Sequence, residues 1–203
     1  YEKLLFQINP HFLLNTLNSI QWMARMSHQD NITEFVQRLK KLLSYNLGKE
    51  GMQTTLRTEI DIVKEYIALQ QMRYDFVIEM NVEEGSYLEQ PTVRMLLQPL
   101  VENAMKHGID YMEEPDTGKI IVEFCRKPEQ LVFSIYNNGP LIELEMVEKL
   151  LNEQGKGYGI HNIKERLELY YGALGSLEVK VTDAKYTCFT VKMPDTLQKE
   201  NPK

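Results

Sequence analysis

Cysteine is nearly absent from this chain: among 203 residues only Cys125 and Cys188 occur, far apart, each inside an alternating apolar stretch. That excludes a disulfide-stapled secreted fold and predicts two buried thiols with no metal or bridge between them. Long apolar runs are missing as well. Met95–Leu97 and Leu100–Val101 are among the longest, well short of the ~20 residues that a membrane helix needs. There is no signal-peptide pattern, no internal repeat and no low-complexity segment. A basic excess is lacking too, with 23 Lys and Arg against 29 Asp and Glu and a net charge of −6. Scattered cations under a negative balance argue against a nucleic-acid partner. What remains is ordinary globular composition, 43% hydrophobic and 26% charged, long enough for one large domain or two small ones. The chain opens at Tyr1 rather than Met, already inside a helix-like pattern, and is expected to be cut from something longer.

The pattern changes near residue 76. Before it, Leu5, Ile8, Phe12, Leu13, Leu17 and Ile20 recur at steps of three and four, as do Ile32, Phe35, Val36, Leu39, Leu42, Leu43 and Leu47. This spacing predicts two antiparallel helices around a polar break at Ser27–Asn31, the second closed by Gly48 and Gly51. A third helical run starts at Leu56. After residue 76, Phe76–Val82, Lys119–Cys125, Leu131–Tyr136, Leu177–Val181 and Tyr186–Met193 alternate as half-buried strands do. Helices are expected at Pro91–His107, Leu141–Leu151 and Gly159–Tyr170, with Pro91 in a first turn. Pro128-Glu129 and Asp183–Lys185 are short enough for hairpins. An antiparallel-rich sheet with helices on one face fits this order better than a doubly wound parallel sheet.

Four constellations could carry chemistry. In Asn9-Pro10-His11-Phe12-Leu13-Leu14-Asn15, a proline precedes a histidine inside an apolar helix, and His11, Asn15 and Asn18 make a polar stripe at i, i+4 and i+7. A satisfied histidine beside a kink explains the spacing equally well. In Leu97–Gly108, Leu97, Val101 and Ala104 form a core face, while Glu102, Asn103, Lys106 and His107 crowd the other side. An amide that can ligate Mg²⁺ and an ammonium that can meet phosphate suit a metal–phosphate ligand. In Gly155-Lys156-Gly157-Tyr158-Gly159, three alternating glycines open a helix, a ready anion site. The run follows no βαβ strand, so a Rossmann reading is poor. Tyr136-Asn137-Asn138-Gly139-Pro140 alone reads as a turn.

Together these residues resemble the LytS/YesM type of bacterial sensor histidine kinases. "FQINPHFLLNTLN" looks like the phosphoacceptor region, "LQPLVENAMKHG" like the N box, "YNNGP" stands at the first glycine box and "GKGYGIHNIKERL" is similar to the second. The likeness covers nearly the whole chain. It implies an α+β fold: a helical hairpin over residues 1–75 that pairs into a dimeric four-helix bundle, then a Bergerat-type α/β sandwich over 76–203 that binds ATP. Asn137 replaces the usual Asp, Leu141 the last Gly of the first box, and Tyr186-Thr187 a Gly-Thr near the final strand.

The reaction implied is transfer of the γ-phosphoryl of ATP to His11, with Asn15 supporting the ring and Glu102 orienting it or accepting its proton. Asn103 would ligate Mg²⁺. Lys106 and His107 would steady the phosphates, Gly155, Gly157 and Gly159 would close over them, and Asn137, Gly139 and Thr187 would meet the nucleotide. The resemblance further implies a homodimer, a response-regulator receiver domain as acceptor, and a cytoplasmic portion of a membrane-anchored protein. A degenerate kinase serving as a dimeric scaffold and a clamp-type ATPase of the same fold are the alternatives.

Overall fold

Apolar residues spaced three and four apart wind the first part of the chain into helices. The computed structural model describes residues 10–48, 53–109, 112–113, 117–143 and 158–197. In it α1 (Pro10–Met26) and α2 (Asp30–Asn46) pack as a hairpin, turned by His28 at a φ of 52°. Gln21 is buried in the seam, and Lys40 Nζ donates to its Oε1 at 2.9 Å. Gly48 follows the last residues of α2, whereas Gly51 lies outside the described residues.

β1 (Gln53–Thr55) leads into α3 (Leu56–Gln71), whose N-terminus Thr55 caps by accepting from the Thr58 N–H at 3.2 Å. α3 is apolar on two sides. Leu56, Ile60, Val63 and Ile67 enter the core of the second half, while Ile62 and Leu69 pack on Leu42, Phe35 and Leu39 of α2. Glu65, between them, takes Arg38 and Lys41 of α2, each at 2.7 Å.

The second half holds β2 (Val77–Val82), β3 (Pro91–Val93), α4 (Gln98–Ala104), β4 (Lys119–Lys127), β5 (Gln130–Asn137), α5 (Tyr158–Tyr171), β6 (Ser176–Val181) and β7 (Thr187–Pro194). The main sheet runs β2-β4-β5-β7-β6, parallel between β2 and β4 and antiparallel elsewhere, as the expected antiparallel-rich sheet requires. Period-2 alternation turns Val122, Phe124, Phe133, Ile135, Phe189 and Val191 inward, where α3, α4 and α5 cover them. The opposite face carries polar side chains such as the Lys119–Glu79 pair at 2.6 Å. Both cysteines lie on it without a disulfide: Cys188 is buried, and burial pushes its thiol up, but Cys125 is only half-buried. Hairpins turn at Pro128-Glu129 and between β6 and β7, as expected.

One helix is shorter than its spacing predicts. Pro91 does not begin a helix but lies in β3, a two-stranded antiparallel ribbon with β1 in which Pro91 pairs with Thr55. A proline has no ladder N–H to give and suits such an edge. The helix begins at Gln98, with Pro99 in its first turn, and at Met105–Ile109 it widens into a π-helical turn. Of the expected helix at Leu141–Leu151, residues 144–151 lie outside the described residues, and 141–143 are not helical.

Phe133 is fully buried at the centre of the sheet, its ring 6.0 Å from that of Phe124. Phe133→Ala is expected to lower stability by about 3–5 kcal/mol, read as a shift in urea midpoint at unchanged slope. A loss below about 1 kcal/mol would mean that the core closes around the cavity.

Candidate functional site

At one end of the sheet the inner face turns polar. Asn137 closes β5, Thr187 opens β7, the two are register partners, and each is only 3% exposed. Buried polar groups need partners. Asn137 Oδ1 accepts from the Gly139 N–H at 3.3 Å, while Thr187 Oγ1 has no protein partner among the described residues. Gly108 closes the corner. A Cβ on it would stand 2.5 Å from Asn137 Oδ1, and one on Gly139 would stand 2.2 Å from the Gly108 carbonyl oxygen. Two backbones meet here at a distance only glycine allows. Asn138 is structural: its Oδ1 accepts from the Lys119 N–H at 2.6 Å and its Nδ2 donates to Thr117 O at 3.1 Å, tying the turn to β4.

α4 runs alongside. Leu97, Leu100, Val101 and Ala104 are fully buried, which leaves Glu102 and Asn103 half-buried on the remaining side. Gln98, one turn earlier, donates from Nε2 to Glu102 Oε1 at 2.6 Å. The α-helical spacing that joined Glu102 and Asn103 to Lys106 and His107 stops at Ala104, because Lys106 and His107 belong to the π-helical turn. Lys106 is exposed there, and the His107 side chain is outside the described residues. So are Gly155 and Gly157, while Gly159 lies in the first turn of α5.

His11 and Asn15 are exposed on α1, with Asn15 Nδ2 3.1 Å from His11 Nδ1. α1 packs on α2, α2 on α3, α3 on α4, and α4 on α5 and β5. The structure therefore gathers Asn137, Gly139 and Thr187 at one corner beside the helix of Glu102 and Asn103. His11 stands on a separate layer, two helices away in packing order.

Sequence reading missed the residues that hold α4 in place. Glu59, wholly buried on α3, accepts from the N–H groups of Met95 (2.8 Å), Leu96 (2.8 Å) and Leu97 (2.9 Å), and from the Tyr45 phenol. Burial holds its carboxyl above the usual range, against the opposing pull of the four donors. Arg166 of α5 grips the same segment, donating to the carbonyls of Arg94 at 3.2 Å and Met95 at 2.9 Å. The signal was available: an acid beside Ile60 at the start of the apolar face of α3.

Residues 89–197 match the family described as histidine kinase-, DNA gyrase B-, and HSP90-like ATPase, and residues 1–77 match the one described as histidine kinase. The chain belongs to the histidine kinase-like ATPase family. It is 30% identical to sensor histidine kinase YesM of Bacillus subtilis over 93% of this chain and 32% of that one. With sensor protein kinase HptS of Staphylococcus aureus it shares 28% over 93% of this chain and 37% of that one. The chain thus spans about a third of these relatives. The histidine kinase ThkA, solved in complex with response regulator protein TrrA, superposes with a TM-score of 0.55 at 18% identity, over 94% of this chain and 59% of that one. That likeness concerns the fold.

Asn137 offers a ligand one amide oxygen where a carboxylate would carry a charge. Hydrogen bonds to charged groups contribute about 1.5–3 kcal/mol and neutral ones about 0.5–1.5, a difference of about 1 kcal/mol. Asn137→Asp is expected to bind ATP several-fold more tightly by calorimetry. Equal or weaker binding would show that the turn and its surroundings already compensate.

Proposed function

We propose that this chain is the catalytic region of a two-component sensor kinase that phosphorylates His11 from ATP and passes the phosphoryl group to a response-regulator aspartate. The observation that carries the reading is the exposed His11, its ring held by Asn15, on a hairpin joined to a half that belongs to a nucleotide-binding ATPase family. Residues 1–75 would be the phosphoacceptor region and 76–203 the ATPase domain. The corner at Asn137 suits an adenine: it offers a buried amide and a buried hydroxyl without a protein partner among the described residues.

Phosphoryl transfer asks the protein for alignment and charge stabilisation. A nitrogen lone pair of His11 attacks the γ-phosphorus, the bond from that phosphorus to the bridging oxygen breaks, and ADP leaves. The imidazole proton passes to Glu102 or to water. Turned by half a revolution, the Asn15 amide would put its oxygen on Nδ1–H and leave the Nε2 lone pair for attack. Asn103 would hold Mg²⁺, which supplies charge neutralisation on the phosphates when bound. Lys106, exposed beside it, and His107 would steady the phosphates, and the backbone of Gly155, Gly157 and Gly159 would cover them.

Because His11 and the nucleotide corner occupy different layers, transfer needs the two halves to close, or a second copy to supply the histidine. The exposed Phe12, Ile20, Trp22, Met23, Met26 and Ile32 of the hairpin support a homodimer paired through it. No described helix is long and apolar enough to cross a membrane. The relatives' names as sensors, with two thirds of their length beyond this chain, support a cytoplasmic portion of a membrane-anchored protein.

Incubation with γ-labelled ATP and Mg²⁺ should place acid-labile, base-stable phosphate on the chain, and His11→Gln should remove it. Uptake at the wild-type rate in that variant would move the acceptor to another histidine, such as His28 or His161. No uptake by the wild type would favour a nucleotide-binding scaffold. Asn103→Ala should abolish phosphorylation with little change in thermal stability, and an unchanged Mg²⁺ dependence in that variant would refute its role.

A further inference from the structure

Transfer to His11 requires the hairpin and the bound nucleotide to meet in one geometry, so whatever fixes the hairpin against the second half takes part in it. Residues Arg94–Leu97 are held from both sides. Glu59 collects three successive N–H groups on one side, and Arg166 holds two carbonyls on the other. Between them Met95 sits at a φ of 56°, a left-handed conformation that an L residue keeps only where its surroundings over-determine it. α4, with Glu102 and Asn103, starts directly after this segment, and Arg166 lies about two turns into α5, beyond the glycine run. Both flanks of the nucleotide corner therefore share one support. Besides the packing of α2 on Ile62 and Leu69 and its ion pairs to Glu65, the hairpin meets that support at Tyr45. The Tyr45 phenol, in the last turn of α2, donates to Glu59, and the Arg94 guanidinium lies 4.4 Å above the Tyr45 ring and donates to the Tyr45 carbonyl oxygen.

The geometry points to a clasp of Tyr45, Glu59 and Arg166 that sets the phosphoacceptor hairpin against the nucleotide site. These are positioning residues for the transfer to His11. They act through α4, α5 and α2. The inference rests on the reading of the chain as a His11 kinase, and it names the parts that align the two reactants. A purely structural knot would stabilise the fold without bearing on the geometry of transfer.

Tyr45→Phe separates the two, because it removes the phenol's hydrogen bond to Glu59 and leaves the three backbone bonds of Glu59 in place. The expected result is a Kd for ATP within about two-fold of wild type, with phosphorylation of His11 at saturating ATP slowed roughly ten-fold. Tyr87→Phe removes another buried phenol bond, to the Glu83 carbonyl oxygen. It should lower the unfolding temperature comparably and leave the rate unchanged.

A second readout needs no phosphorylation. Trp22 is the one tryptophan of the chain and is exposed on α1, so energy transfer from it to a bound methylanthraniloyl nucleotide reports the separation of hairpin and site. Tyr45→Phe should change the transfer efficiency, and Tyr87→Phe should not. Wild-type efficiency in Tyr45→Phe overturns the clasp, as does a rate loss matched by an equal loss of ATP affinity. A wild-type chain that shows this transfer but never labels His11 overturns the kinase reading instead, and the transfer measurement still decides the clasp.

Discussion

A carboxylate with no exposed surface is costly to keep inside a protein unless nearly every lone pair on it is met. Glu59 meets that condition with four donors, three from consecutive backbone amides and one from Tyr45. Much of the architecture follows from it. Three successive N–H groups can point at one carboxylate only if the chain bends sharply, and the left-handed Met95 is that bend. The bend ends the β3 ribbon and sets the start of α4, so the length and direction of the N-box helix are decided by an acid some forty residues earlier. Among the described residues α3, which carries Glu59, is the one helix that serves two cores, and it joins α2 to α4.

The parts of this fold that rest on repetition were legible in the sequence. Period-3.6 spacing located α1, α2, α3 and α5, and alternation located the five main strands to within two residues, because each of those faces is buried by contacts that repeat along it. What failed was non-periodic. Residues Pro91–Leu97 carry apolar side chains at spacings that suit a helix, yet their amides are taken by Glu59 and by the β1 ribbon, and no local pattern records such a long-range claim. Pro99, the true first-turn proline, was in plain view but outweighed by Pro91. The widening of the chain at Met105–Ile109 is also non-local: Gly108 must approach Asn137 and Gly139, and regular helical spacing would not deliver it there.

For the site, residue types were readable and their assembly only partly so. Asn137 and Thr187 are fifty positions apart, and what joins them is the β5–β7 register. Glu102 and Asn103 were found because a helix with one apolar face must show its other side. Gln98, which fixes Glu102, was hidden inside the motif as a residue between two leucines and a proline. Glu59 and Arg94 lie outside the quoted motifs, and Arg166, though inside the second glycine stretch, has no part in the reaction the resemblance implies.

Polar satisfaction ties these observations to chemistry. Several buried polar side chains are matched: Gln90 donates to the Pro194 carbonyl and accepts from the Thr196 N–H, and buried Asp195 takes the Arg126 guanidinium at 2.5 Å. Among the described residues the buried atoms without a hydrogen-bond partner are Asn46 Oδ1, Gln98 Oε1, both ring nitrogens of His161 and Thr187 Oγ1. His161 does have Glu165 at 3.3 Å, close enough for charge attraction but not aligned as a hydrogen bond. Apart from Asn46, these residues belong to α4, the first turn of α5 and the start of β7. Each unmet group costs about 1–3 kcal/mol, and a fold keeps several together where something else returns that energy. A polar ligand seated among Asn137, Thr187 and the glycine backbones would do so. On the proposed reading, the unpaired groups that weaken the fold on its own would be a source of affinity, and nucleotide binding and rigidity would be the same event.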